Sequence, residues 1–175
     1  MEQFKTLLTK RRSYRKYTGE PIGGDQVQLI LEAALLAPTS KNSRSWEFVA
    51  VEDKEMLAKL ANCKPQNGKF IADATLAIVV LGNPLETDVW IEDASIAATL
   101  MQLQAEALDL GSCWVQVRGR NYIDTVTSGE YINELLDIPM PLETVCIITF
   151  GHKLKQRDPR NLDSLTWEKV HIGKF

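Results

Sequence analysis

Apolar and polar positions alternate along this chain in two rhythms, one helical and one extended. Residues 2–10 set Phe4, Leu7 and Leu8 on one face at helical spacing. The run 25–37, DQVQLILEAALLA, repeats that rhythm, with Asp25 as its expected cap and Pro38 as its stop. A polar loop, PTSKNSRS, leads into WEFVAVED, whose alternation predicts a strand. KEMLAKLAN predicts a short helix, and ATLAIVVLGN, an unbroken apolar run closed by Gly82, Asn83 and Pro84, predicts a strand buried on both faces. The longest helical pattern covers 88–110 and is apolar on most sides, so it needs cover on most sides, which a second subunit supplies most simply in a small domain. GSCWVQV predicts a strand, EYINELLD a helix and TVCIITFG another fully buried strand. The basic tail GHKLKQRDPRNLD and a short amphipathic segment, SLTWEKVHIG, close the chain. Helices and strands mixed around a small sheet make an α+β domain.

Composition fixes the scale. A chain of 175 residues, 45% hydrophobic and 25% charged, is long enough for one substantial core and too short to need two, so a single domain over 1–175 is expected. No stretch approaches the roughly 20 apolar residues that span a bilayer, and MEQFKTLLTKRR lacks the apolar centre of a secretory signal, so the expectation is a cytoplasmic protein without a membrane partner. Cys63, Cys113 and Cys146 are odd in number and widely spaced, as suits reduced core thiols. Neither His152 nor His171 has a Cys or carboxylate at ligand spacing, so no metal site is expected.

Charge changes the picture at one place. The net charge is −3, yet Lys10, Arg11, Arg12, Arg15 and Lys16 crowd into KRRSYRK with Ser13 among them, an arrangement that suits a phosphate. A second basic cluster, Lys153, Lys155, Arg157 and Arg160, follows a buried strand, where ligands of α/β sheets gather. A pI of about 5.5 argues against a general nucleic-acid binder. Neither GxGxxG nor the P-loop pattern is present, so any phosphate is gripped mainly by side chains.

RRSYRKY, LLAPTSKNSRSWEFV, DATLAIVV, EDASIAATLMQLQAEALDLGSCWV and ITFGHK, in that order and spacing over residues 8–155, resemble the nitroreductase family of FMN-dependent oxidoreductases. That resemblance implies a small, mixed, mainly antiparallel sheet flanked by helices, in an intertwined homodimer with FMN sites at the subunit interface. It assigns the flavin phosphate, ribityl chain and ring edge to Arg11, Arg12, Ser13 and Arg15. It brings Pro38, Thr39, Ser40, Asn42 and Trp46 from the other subunit, and sets Asn67 at the pyrimidine side of the ring. Cys113, Trp114, Val115, Gln116 and Val117 match the stretch lying along the flavin with a backbone N–H near N5, and His152, Lys153 and Arg157 match the rest of the phosphate site. Arg44-Ser45 stands where the family pattern has Gln-Pro.

The implied activity is hydride transfer from NADH or NADPH through the flavin to an electron-poor acceptor, a nitroaromatic, quinone or enone, by a ping-pong cycle. The absence of a Ser-His-Asp, Cys-His or paired-carboxylate constellation agrees with chemistry carried by a cofactor. A non-enzymatic flavin-binding or storage protein is the alternative. Specialised family activities that use a lid after the central helix find little room in the run from Arg118 to Glu130.

Overall fold

The computed structural model describes residues 2–175. Its elements in chain order are α1 (Glu2–Lys10), α2 (Gly24–Leu35), β1 (Trp46–Val51), α3 (Lys54–Leu60), β2 (Leu76–Gly82), α4 (Trp90–Ala107), β3 (Leu110–Gln116), β4 (Asn121–Ile123), β5 (Val126–Thr127), α5 (Ser128–Leu135) and β6 (Glu143–His152). The main sheet has the order β1-β2-β6-β3 with every pairing antiparallel, and β4 and β5 form a separate small hairpin. Strands and helices fall where the sequence pattern puts them, within a few residues.

Both faces of this sheet are covered, which explains why β2 and β6 read as continuous apolar runs although they are antiparallel. Alternate residues separate into two cores. Leu76, Ile78, Val80, Cys146, Ile148 and Phe150 pack towards α2 and α4. Ala77, Val79, Leu81, Val115 and Ile147 pack towards α3 and α5. Helix α4 buries Ala94, Ala97, Ala98, Met101 and Ala105 on the sheet, while Ile96 on its other side stays exposed.

One expectation needs correction, and two segments take forms that the sequence pattern does not specify. Asp25 is not the cap of α2: Gly23 is, because Gln26 Oε1 accepts the Gly23 N–H at 3.3 Å, and Asp25 lies in the first turn, where the helix dipole still favours it. The hairpin β4/β5 lies in the run from Arg118 to Glu130, for which the sequence pattern predicts no strand. The terminal segment forms only two isolated 3₁₀ turns, Leu162–Ser164 and Trp167–Lys169, with Trp167, Val170, Ile172 and Phe175 exposed.

Residues 11–18 are laid across the end of the sheet. Ser13 bridges Ser112 in parallel fashion and Tyr17 bridges Lys153. The buried Tyr17 ring lies on Gly151, and its hydroxyl meets the Tyr14 carbonyl and Thr149 Oγ1, each at 2.8 Å. A Cβ at Gly151 would stand 2.7 Å from that ring. Gly151→Ala is therefore expected to destabilise the protein by about 2 kcal/mol through overpacking, read as a lower urea midpoint with unchanged slope.

Candidate functional site

Strand β3 ends the sheet, so alternate residues turn both backbone groups away from β6. Ser112 and Gln116 are two of these: the Ser112 carbonyl accepts the Tyr14 N–H at 2.9 Å, and the Gln116 carbonyl accepts Lys64 Nζ at 3.2 Å. Trp114 lies between them with the same parity. Its indole N–H donates to Gln116 Oε1 at 2.9 Å, and Gln116 Nε2 donates to the Arg118 carbonyl at 2.8 Å, so the side chains of this edge are fixed as well.

Beside this edge the two basic clusters meet. Arg12 donates to the Asp158 carbonyl at 2.7 Å, Arg157 donates through its guanidinium to the Ser13 carbonyl at 3.2 Å, and the Arg157 N–H reaches the Tyr14 hydroxyl at 3.2 Å. Residues 12–16 and 154–158 thus enclose a cavity of about 680 Å³. Each of these arginines spends one of its five N–H donors on a carbonyl and keeps the rest. Among the described residues, Arg11, Arg12, Arg15 and Arg157 form no ion pair; both salt bridges belong to Lys153.

Lys153, expected as a phosphate ligand, is used otherwise. Its side chain is 2% exposed, and Nζ lies 2.9 Å from Glu106 Oε1 and 2.9 Å from Asp109 Oδ1. Burial alone would lower its pKa, but the bonds to Asp109 and Glu106 outweigh that and raise it. The same contact with Lys153, helped by Gln156, lowers the pKa of Asp109. Burial of Glu106 forces this pairing with the strap, the segment 153–158 that follows β6, because a buried carboxylate needs a cation. Lys153 fastens the strap that carries Arg157 instead of facing the cavity. His152 ends β6, and its carbonyl accepts the Thr18 N–H at 3.0 Å.

The loop before β1 lies elsewhere in the chain, where Ser40, Lys41 and Ser43 line a separate cavity of about 330 Å³ with residues 84–88. Its organiser is Asp93, a buried acid of α4 that accepts the Ser40 N–H at 3.0 Å and approaches the Ser43 hydroxyl at 3.4 Å. Thr39 Oγ1 accepts the Arg44 N–H at 3.1 Å, and Asn42 Oδ1 accepts Arg44 Nε at 3.3 Å. Lys41, Asn42 and Arg44 all have positive φ, so the loop holds a strained shape against Asp93. Trp46 is buried in the core, 5.3 Å from Phe48 between ring centroids.

The Nitroreductase family model matches residues 8–64 and 62–152. The chain belongs to the nitroreductase family. A protein of Archaeoglobus fulgidus, provisionally named an NADH dehydrogenase/NAD(P)H nitroreductase, is 32% identical over 180 residues covering all of both chains. An NAD(P)H FMN reductase of Bacillus subtilis is 31% identical, over 83% of this chain and 64% of its own. The solved structure of an FMN-dependent nitroreductase from Clostridium difficile R20291 superimposes with a TM-score of 0.96 at 45% identity, covering 98% of this chain and 99% of that one.

Within this nitroreductase fold, a single chain gathers Arg12, Ser13, Arg15 and Arg157 around one cavity next to Ser112 of β3, with Arg11 adjoining in sequence, and leaves the loop of Pro38, Thr39, Ser40 and Asn42 apart, its Ser40 lining a different cavity. Asn67 stands exposed at a positive φ of 58° in the turn after α3. The residue that sequence reasoning missed is Lys64. It belongs to no basic cluster, and only the fold brings it to Gln116. Lys153→Met is expected to cost about 3 kcal/mol in urea unfolding, because Glu106 is left buried without a cation, and adding Glu106→Leu should restore more than half of that loss.

Proposed function

We propose that the chain is an FMN-dependent NAD(P)H oxidoreductase acting as a homodimer, with two-electron transfer to a nitroaromatic, quinone or enone. The observation that carries this reading is the set of arginines, without acid partners among the described residues, around the 680 Å³ cavity beside the open edge of β3. Such a volume lies within the ~300–1,000 Å³ of cofactor pockets. The names of the relatives point to the same cofactor and donor.

Arg11, Arg12, Ser13 and Arg157 would hold the phosphate, where charge-assisted donors to a dianion are strongest. Arg15, whose guanidinium lies 5.6 Å from the Phe70 ring centroid, would place positive charge at the ring edge. The outward N–H groups of Trp114 and Gln116 would orient the ring face along β3. Bound flavin supplies the redox chemistry, taking two electrons from the nicotinamide and passing them on; the protein supplies position and field. Asn42 and its loop, turned away from this cavity within one chain, would reach the partner's site.

Dimerisation has its own support. Phe4, Leu29, Leu36, Leu100 and Leu103 line an apolar groove between α1, α2 and α4, and Leu36 is 81% exposed. A second copy would cover that face and the terminal apolar residues. Sedimentation at micromolar concentration should give a dimer, and Leu36→Asp should shift it towards monomer with loss of bound FMN. A wild-type monomer carrying FMN would refute the shared site.

The activity is tested by anaerobic addition of NAD(P)H to the FMN-loaded protein. The yellow colour should bleach and return on adding a quinone or nitroaromatic, whereas persistent colour would favour a storage protein. Arg157→Ala should weaken FMN binding about tenfold, the loss of one charge-assisted bond of roughly 1.5 kcal/mol, by fluorescence titration.

A further inference from the structure

Lys64 follows α3 in a tight turn, CKPQNG, that folds back over its own stem. A Cβ at Gly68 would stand 2.9 Å from the Ala61 carbonyl and 3.3 Å from Lys64 Cγ, so the bare glycine lets the turn close on the lysine. The ammonium donates to the Gln116 carbonyl, its only hydrogen bond among the described residues, and it forms no ion pair. Burial lowers its pKa, and the nearby charges of Arg120 and Arg15 push in the same direction. The buried thiol of Cys113, three residues before Gln116 on β3, has Arg15, Arg11 and Lys64 among its charged neighbours. A half-buried ammonium on a neutral carbonyl, with two guanidiniums nearby and no carboxylate, is a place for negative charge.

The N–H and carbonyl of Gln116 lie on the same side of the edge strand, so the ammonium stands beside a donor that faces outward. We propose that Lys64 is a positioning residue of the flavin site: it fixes the Gln116 edge and adds a positive charge there that favours the two-electron-reduced, anionic flavin over the oxidised, neutral ring. This rests on the flavin reading above and deepens it. Arg15 acts from the chain's N-terminal segment, whereas Lys64 reaches the same edge from the turn after α3.

The test uses the full-length protein and compares wild type with Lys64→Met, Lys64→Gln and Lys64→Arg. Two quantities are read: the affinity for oxidised FMN by fluorescence titration, and the midpoint potential of the bound flavin by anaerobic dye equilibration. For the Met and Gln variants, oxidised FMN should bind within about threefold of wild type, while the ratio of reduced to oxidised affinity should fall about tenfold, a drop of about 30 mV for a two-electron couple. Lys64→Arg, which keeps the charge, should recover most of that drop. The proposal is overturned by an unchanged potential in both neutral variants, by an Arg variant that behaves like Met, or by neutral variants that lose oxidised FMN altogether, which would make Lys64 a binding group. If wild type itself fails to bind FMN, the flavin reading falls first and this inference with it.

Discussion

A strand at the end of a sheet has hydrogen-bonding groups on two sides and a neighbouring strand on one. In β3 the second side is neither paired with a strand nor left to water along its length. At one end, Ser112 takes the backbone of Tyr14, and that close approach depends on Gly111, where a Cβ would stand 2.9 Å from Tyr14 Cβ. At the other end, Gln116 takes Lys64. Between them Trp114 presents its backbone outward. An edge closed at both ends and open in the middle is a slot with fixed donors, and the surrounding basic residues are held in place by the groups that close it. Residues 11–18 supply arginines because Tyr14 and Tyr17 pin them to the sheet, and the strap after β6 supplies Arg157 because that residue's N–H meets the Tyr14 hydroxyl.

The charges around the slot fall into two groups with different physical roles. Lys153 is paired: Glu106 and Asp109 neutralise it, and Tyr14 covers it with ring centroid 5.4 Å from Nζ. Among the described residues, Arg11, Arg12, Arg15, Arg157 and Lys64 have no acid within ion-pair range. Holding like charges together weakens the free chain and is offset when an anion arrives, so the site gives up local stability for affinity. The ion-paired lysine makes this tolerable, because it anchors the strap to α4 independently of any ligand.

The sequence announces the strands and helices because burial on two faces leaves long apolar runs in β2 and β6, and burial on one face leaves a stripe in α2. It also shows Arg11, Arg12, Ser13 and Arg15 directly, because they stand in one contiguous block. The hairpin β4/β5 is silent because strands of three and two residues leave too few positions to show alternation. Lys153 misleads because a linear reading counts cations and does not see Glu106 and Asp109, 47 and 44 residues earlier, rise beneath it. Lys64 is invisible for a related reason: its partner is a backbone carbonyl 52 residues away, which no side-chain pattern encodes.

The open surfaces of the chain differ in chemistry. The β3 slot is polar and cationic and suits a small anion. The groove of Phe4, Leu36 and Leu103 is apolar and suits protein. A surface that mixed the two would make cofactor and subunit compete for it. The loop of Thr39, Ser40 and Asn42 belongs to neither: it is held by a buried carboxylate from within and carries positive φ at Lys41, Asn42 and Arg44, yet Asn42 and Arg44 are exposed. Strain of this kind persists only where the surroundings enforce it, and here Asp93 enforces it from α4, the helix that also forms one wall of the apolar groove. In the proposed homodimer, one helix would then carry the subunit contact on one side and aim the polar loop with Asp93 on another. Packing between copies and delivery of Asn42 to the neighbouring site would depend on the same rigid element.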